Sequence, residues 1–319
     1  MTTAVNKAGI QFNRADFHIR PVTAADRAAI EAIAAQIWDG EDYLPMVLDA
    51  WLADVSGLFC AGVIGERLVA VAKLTHMGGD QWWLEGLRVD PAFQGIGLGR
   101  IMHHYMVNYS RRYAPGTLRF STASGNHAVI RMAAETAFQQ VAAFVAYGAE
   151  ADPAIPIDRL VRLEPSDIDR AWARLIKLPY FEAAQRTLED SWRFLPLTPD
   201  RLRERLAAGQ VYGWTRSGDM PGLAGLAILN TPRGTTGEEE ATRLYVGYAD
   251  ALPDEFAALA LALRGLAAWQ GFERVSWKVL DDAVLLARLK AAGYQQRWDE
   301  QVLLFARELS LTEHAMIRT

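Results

Sequence analysis

Between Leu84 and Ile101 the chain passes from a strand-like segment through Asp90-Pro91 into Gln94-Gly95-Ile96-Gly97-Leu98-Gly99, and from there into a helical pattern. This order restricts the fold more than any other stretch. At a helix start the first N–H groups have no intrahelical partner and the macrodipole is positive. Glycines let the backbone come close to an anion with no Cβ in the way. A turn of this kind is a cradle for a diphosphate. The P-loop would need Gly-Lys-Ser/Thr, and no lysine lies here. The dinucleotide fingerprint needs Gly-x-Gly-x-x-Gly after the first strand of a parallel unit. Here the glycines are spaced Gly95-x-Gly97-x-Gly99, and the preceding strands read as antiparallel.

The surroundings of the loop have a clear grammar. Residues 1–16 form a polar tail. Phe17 to Val22 alternates like a strand, and Thr23 reads as an N-cap with Asp26 in capping-box position. Ile30, Ile33, Ala34 and Ile37 follow at helical spacing, and a second helix is expected over Leu44 to Val55. Leu58–Ile64, Leu68–Thr75 and Gln81–Val89 read as an antiparallel meander. After the loop, Leu98, Ile101, Met102, Tyr105, Met106 and Tyr109 fall on one helical face. A strand over Leu118–Thr122, a helix over Asn126–Glu135 and a strand over Gln139–Ala146 complete the half, and Asp152–Pro156 reads as a linker.

The second half repeats this order. Arg162-Leu163-Glu164-Pro165-Ser166-Asp167 opens like Arg20-Pro21-Val22-Thr23-Ala24-Ala25. Near the end, Ala291-Ala292-Gly293-Tyr294 echoes Thr136-Ala137-Phe138 at an offset of 293 − 137 = 156. The expectation is an α/β (α+β) chain of two similar domains, 17–150 and 157–319, each a mostly antiparallel mixed sheet flanked by helices.

Composition narrows the partners. The chain has 319 residues and a formal net charge of −5, which gives no reason to expect a nucleic-acid or anionic-membrane partner. No run approaches the ~18 apolar residues of a membrane helix, and the apolar Phe256–Leu263 reads as a buried helix face. Met1 to Arg14 has no apolar core, so no secretory signal is expected there. One cysteine, Cys60, excludes an internal disulfide and makes the cytoplasm the default compartment.

The residues Gln94-Gly95-Ile96-Gly97-Leu98-Gly99 match the Gln/Arg-x-x-Gly-x-Gly/Ala signature of the GCN5-related N-acetyltransferases. Leu87-Arg88-Val89-Asp90-Pro91 resembles that family's fourth strand and its exit. Asn126 to Phe138 resembles its later Asn-to-Phe helix segment. The resemblance spans about residues 17–149, and the repeat makes the chain similar to two-domain, tandem members. Glu85-Gly86-Leu87-Arg88-Val89, with the long C-terminal half, also resembles the histidine N-acetyltransferase branch. The resemblance implies acetyl-CoA as cosubstrate, with its pyrophosphate on the amides of Gly95 to Arg100 and its pantetheine along Leu87 to Val89. Asn126 would contact the pantetheine arm, and Arg100 and Arg131 would be partners for the other phosphates.

Acyl transfer to an amine needs a base, donors for the oxyanion and an acid for the leaving thiolate. Glu85 is the candidate base. On a regular strand it shares a face with Leu87 and Val89; the alternative is an ion pair with Arg88 or Arg119. The family's acid is a tyrosine seven residues after the Asn, a position held here by Ala133. Tyr147 and Tyr105 are the substitutes, and helix packing is the expected role of Tyr105. His103 and His104 diverge by ~100° on a helix and are expected to serve surface or packing roles. Cys60 reads as a buried structural thiol. Trp51, Trp82 and Trp83 read as core aromatics that could instead line an acceptor pocket. Asp42 and Tyr43 lie in the segment that shapes the acceptor side in the family.

The second half has no such glycine loop at Tyr248 to Asp254, where Asp254 and Glu255 would repel a pyrophosphate. It is expected to keep the fold without coenzyme A, walling off the acceptor site or supporting a homodimer. Leu178 to Pro199 reads as an aromatic insertion. No metal is expected. The leading functional expectation is acetyl transfer to the primary amine of a small molecule, an amino acid or related metabolite, by direct attack in a ternary complex. The alternatives are an acyl-CoA sensor without turnover and acetylation of a protein lysine or N-terminus.

Overall fold

The protein is described by a computed structural model over residues 3–5, 11–13, 16–216, 222–230 and 242–310. Its described residues divide into two compact units. Those within 1–120, 128–139 and 306–319 make the first, and those within 121–127 and 140–305 make the second. The linker expected at Asp152–Pro156 lies inside the second unit, where the Ile155 amide bonds the Asp152 carbonyl.

In the first unit, β1 (Thr3–Val5) pairs antiparallel with β2 (Gln11–Asn13). The main sheet begins with β3 (Phe17–Pro21). The chain then turns at a capping box in which Thr23 and Asp26 satisfy each other's backbone, and Arg20 grips Asp26 at 2.7 Å. Helix α1 (Arg27–Ala34) and helix α2 (Leu44–Ala53) follow. Their apolar faces, Ile30, Ile33, Leu44, Leu48 and Trp51, pack on Phe59, Ala61, Val63 and Val71 of the sheet.

The meander read from the sequence is present. Strands β4 (Leu58–Ile64), β5 (Arg67–His76) and β6 (Gln81–Val89) run antiparallel after β3, within a residue or so of the expected bounds. Helix α3 (Leu98–Tyr113) then leads to β7 (Gly116–Ala123), which pairs parallel to β6. Helix α4 (His127–Glu135) closes the series.

The buried face of α3 differs from the expected one. Leu98, Met102 and Met106 are buried, as expected, but their companions are His103, Val107 and Ser110. Ile101 is exposed, and Tyr105 and Tyr109 are half-buried. The helix turns its 3.6-residue stripe towards the small buried Ser110, whose hydroxyl bonds the Met106 carbonyl, rather than towards the tyrosines.

In the second unit, β8 (Gln139–Glu150) joins the unit from Gln140 onward. Then come β9 (Leu160–Arg162), α5 (Ile168–Leu175), the hairpin β10 (Thr187–Asp190) with β11 (Arg193–Pro196), and α6 (Pro199–Ala207). Strands β12 (Val211–Thr215), β13 (Leu223–Asn230) and β14 (Arg243–Ala251) make an antiparallel run with β9 at its edge. Helix α7 (Phe256–Trp269) leads to β15 (Arg274–Leu280), parallel to β14 and antiparallel to β8. Helix α8 (Ala283–Ala291) and β16 (Gln295–Leu309) follow.

The repeat is physical as well as textual. A capping box precedes the first full helix in both halves, Thr23 with Asp26 and Glu164 with Asp167. The echoed positions Ala137 and Gly293 are both left-handed, at φ 57° and 82°, each just past a helix end. A core of Phe256, Leu259, Leu263, Leu266, Trp277 and Tyr294 holds the second unit, with Phe256–Leu263 a helix face as read. Among the described residues, no helix is long and apolar enough to cross a membrane.

Candidate functional site

The site is built on β6 and the turn that follows it. The parallel register of β6 with β7 runs only from Gln81↔Thr117 to Trp83↔Arg119. Beyond Trp83, β6 leaves that neighbour. On its other side β6 is bulged: Lys73 faces Glu85 and Val71 faces Arg88, so Gly86 and Leu87 together oppose Ala72. Gly86 has φ +64°, and a Cβ there would stand 2.4 Å from Trp51 Cη2. The bulge corrects the expectation that Glu85, Leu87 and Val89 share one face, because the period of two is broken between them. A glycine inside a strand was the available signal.

The turn is fastened from both ends. Asp90, buried, accepts the Ala92 amide at 2.9 Å and binds Arg67 at 2.8 Å, while its own amide bonds the Val69 carbonyl. Gln94 donates its side-chain amide to the Val89 carbonyl at 3.2 Å, tying the loop back to the strand. Phe93 and Leu98 are buried with Val69, and Ile96 packs on them. Gly95 and Gly97 are left-handed, at φ 83° and 90°. Gly97 caps α3, and the first helical bond runs from the Ile101 amide to the Gly97 carbonyl. Helix geometry leaves the amides of Leu98, Gly99 and Arg100 without intrahelical acceptors. A Cβ on Gly97 would meet nothing within 4 Å, so the N-cap of α3 has open space beside it. Gly99 faces Val89, 3.5 Å from where its Cβ would stand.

These residues fit a pyrophosphate by donor type and by room. Arg100 is exposed and held by Glu135 at 2.6 Å, a contact that a phosphate partner would have to displace. Arg131 is exposed on α4.

Glu85 is half-buried and accepts a hydrogen bond from the Thr75 hydroxyl on β5. Both arginines weighed as its partner make other bonds. Arg119 donates to Gln81. Arg88 forms a two-pronged pair with Asp42, Nε to Oδ2 at 2.7 Å and Nη2 to Oδ1 at 3.0 Å, and stacks over Trp38 and Tyr43. Burial pushes the Tyr43 phenol up to about 12 against the pull of Arg88, with Glu85 adding to the rise. Thr75 and the Asp42–Arg88 pair had no sequence signal, since Asp42 and Arg88 are 46 residues apart.

Asn126 is exposed in the turn before α4, its amide on the Ala123 carbonyl. It belongs, with Tyr147, to the second unit. Tyr147 is 2% exposed within that unit's apolar core, an environment of packing rather than of proton transfer. Ala133 is fully buried, so the helix has no room for a tyrosine there. His103 is buried between Phe120 and Phe138; burial, with His104 adding to it, lowers it to about 4. His104 is half-exposed beside Glu135. Burial pushes the Cys60 thiol up to about 12, and its sulfur lies against Met106. Trp51 and Trp83 are core, and Trp82 donates to the Pro115 carbonyl.

The second unit offers no comparable cradle at the matching place. The start of α7 is filled by Glu255, which pairs with Arg159 and Arg216 and accepts the Trp214 indole N–H at 2.9 Å. The strand before it carries Asp250, fully buried. Burial raises Asp250 to about 6 against the bonds it accepts from the Tyr180 and Ala251 amides and the Tyr248 hydroxyl. Among the described residues, no group of three or more His, Cys, Asp or Glu side chains could hold a metal ion.

Comparison with known proteins agrees with this geometry. Residues 27–138 match the acetyltransferase (GNAT) family. Over 127 residues, 39% of this chain and 78% of the relative, the sequence is 25% identical to an N-alpha-acetyltransferase RimI of Mycobacterium tuberculosis. The fold is similar to that of a GCN5-related N-acetyltransferase from Sphaerobacter thermophilus, with a TM-score of 0.65 at 15% identity over 94% of this chain and 97% of that one. It is also similar to a tandem GNAT protein from the clavulanic acid biosynthesis pathway, with a TM-score of 0.57 at 16% identity over 92% and 99% of the two chains. The chain therefore carries an acetyltransferase (GNAT) domain over residues 27–138, within a two-domain fold of the GNAT kind.

Proposed function

We propose that the protein transfers an acetyl group from acetyl-CoA to the primary amine of a small molecule, an amino acid or related metabolite, in the cytoplasm. The observation that carries this reading is the open, left-handed Gly97 at the start of α3, directly after a strand that has left its neighbour. Leu98, Gly99 and Arg100 would present amides to the pyrophosphate. Leu87 to Val89 would offer backbone groups to the pantetheine amides and to the thioester carbonyl. Glu85, fixed by Thr75, would take the proton from the amine through a water while nitrogen attacks the carbonyl carbon. The carbon–sulfur bond then breaks, and the thiolate takes its proton from water, since Ala133 supplies none. One coenzyme binds per chain, because Glu255 fills the second helix start.

Calorimetry with acetyl-CoA, on the native chain and on Gly97→Trp, tests the cradle. Tight binding that is lost in the folded variant supports it, and retained binding rejects it. Thiol release over a panel of amines then tests turnover. Tight binding with no release above background would instead favour an acyl-CoA sensor. A protein N-terminus is a second reading, favoured by the similarity to an N-alpha-acetyltransferase. Release with a peptide N-terminus but with no small amine would support it.

A further inference from the structure

Glu85 stands where its strand is least supported. The printed register of β6 with β7 ends at Trp83, two residues before it, and the bulge at Gly86 begins one residue after it. Between these two breaks the regular neighbour is β5. There Lys73 is the cross-strand partner of Glu85, and Thr75 faces Trp83. Lys73, Thr75 and Glu85 therefore share one face of the sheet.

The two β5 residues behave differently. Lys73 commits its fully buried ammonium to Asp54, just past α2, and to the Leu74 carbonyl at 2.8 Å. Asp54 also accepts the Ser56 amide at 2.9 Å. The lysine charge is thus answered within its own pair. Thr75 instead reaches diagonally across the strands and donates its hydroxyl proton to Oε1 of Glu85. A threonine on a strand has few χ1 choices, so the donor comes from a fixed direction. A glutamate is among the side chains that lose most freedom when held, so a latch from a stiff neighbour settles its aim before substrate arrives.

The bond has a second effect. A hydroxyl donating to a carboxylate favours the ionised form, and that is the form able to take a proton. The charged and titratable groups nearby have other partners or stay neutral. Arg88, past the bulge, pairs with Asp42, and Arg119 on β7 donates to Gln81. Tyr43, ahead of α2, is kept uncharged by burial, its phenol at about 12. Thr75 differs from all of these in bonding the carboxylate directly.

We propose that Thr75 is a positioning residue of the reaction: its hydroxyl aims Glu85 and keeps the carboxylate ionised and ready to accept a proton. This rests on the acetyl-transfer reading and on Glu85 as its base. Thr75 touches no reacting atom and acts through Glu85 alone.

The test follows thiol release against pH, with the best amine of the panel, for the native chain, Thr75→Val, Thr75→Ser, Glu85→Gln and Thr75→Val/Glu85→Gln. Calorimetry with acetyl-CoA and thermal melting run beside it. Thr75→Val keeps the side-chain shape and loses the donor. Its kcat/KM for the amine should fall about tenfold at neutral pH, with acetyl-CoA affinity within about twofold of native. The acid limb of its kcat/KM profile should move to higher pH by about one unit, which a merely structural role would not produce. Thr75→Ser keeps the hydroxyl and should restore both. In the Glu85→Gln background, adding Thr75→Val should cost less than about twofold, because the group it acts through is already gone. An unmoved acid limb, or the same tenfold cost repeated in the Glu85→Gln background, overturns the proposal. Should melting show that valine disturbs the strand, Thr75→Ala against Thr75→Ser makes the same comparison. Native turnover in Glu85→Gln removes the base and the proposal with it, whereas lost turnover in Glu85→Gln beside a native-like Thr75→Val removes Thr75 alone.

Discussion

The indole of Trp51 occupies the space into which Gly86 would project a side chain, with Cη2 only 2.4 Å from the position of a Cβ. Core helix and bulged strand are thereby fitted to each other at the residue next to Glu85. Gly86→Ala adds both the clash and a left-handed alanine, which alone costs about 1–2 kcal/mol. A loss of about 3 kcal/mol or more is expected in urea unfolding. Gly86→Ala/Trp51→Leu should not recover native stability, because it relieves the clash but keeps the backbone strain and loses indole packing.

Glu85→Gln keeps the shape and an acceptor oxygen for the Thr75 hydroxyl but removes the proposed base. Turnover should fall about 10²- to 10⁴-fold with acetyl-CoA affinity nearly intact. Steady-state kinetics beside calorimetry checks this, and unchanged turnover would remove Glu85 from the role.

Binding should saturate at one acetyl-CoA per chain. Glu255→Gln, which withdraws a carboxylate from the start of α7, should leave that stoichiometry at one, because Arg159, Arg216 and Trp214 still crowd the turn and no glycine opens it. A second binding event in either protein, seen by calorimetry, would contradict the assignment.

Acid should weaken the fold in two windows. His103 falls from 6.5 to about 4 on folding, chiefly through burial, so the unfolded chain binds the extra proton as pH drops from about 6.5 to 4. The His103 contribution declines across that range by up to about 3 kcal/mol and is then spent. Asp26 is held at about 2 instead of 3.8, first by its bond to Arg20, and its contribution is present above about 3.8 and lost as pH falls towards 2. Thermal unfolding against pH should therefore flatten between 6.5 and 4 in His103→Gln, which can still bond the Thr136 hydroxyl, while the lower window remains.

Much of this was legible because it is local. Thr23 and Asp26 are three residues apart and make the capping box that their types announce. The strand, the glycine turn and the start of α3 follow from glycine, proline and apolar spacing. What escaped reading depends on partners far along the chain. The bulge at Gly86 is set by Ala72 and Trp51, and it decides which way Glu85 and Leu87 face. Asp42 meets Arg88 only once the sheet has formed. Tyr147 has a titratable group, as a proton donor must, but its surroundings in the second unit's core are visible only in the fold.

The short β6–β7 register leaves the row of backbone groups from Leu87 to Val89 without that neighbouring strand among the described residues. An interior strand in this state is an unfinished seam. A guest with amides along its length can be stitched into it as a surrogate strand, much as an extended peptide adds to a sheet edge. On the proposed reading the guest would become part of the architecture, and its departure would loosen the very strand that holds Glu85, so that melting temperature and amide protection on β6 should rise together with its concentration.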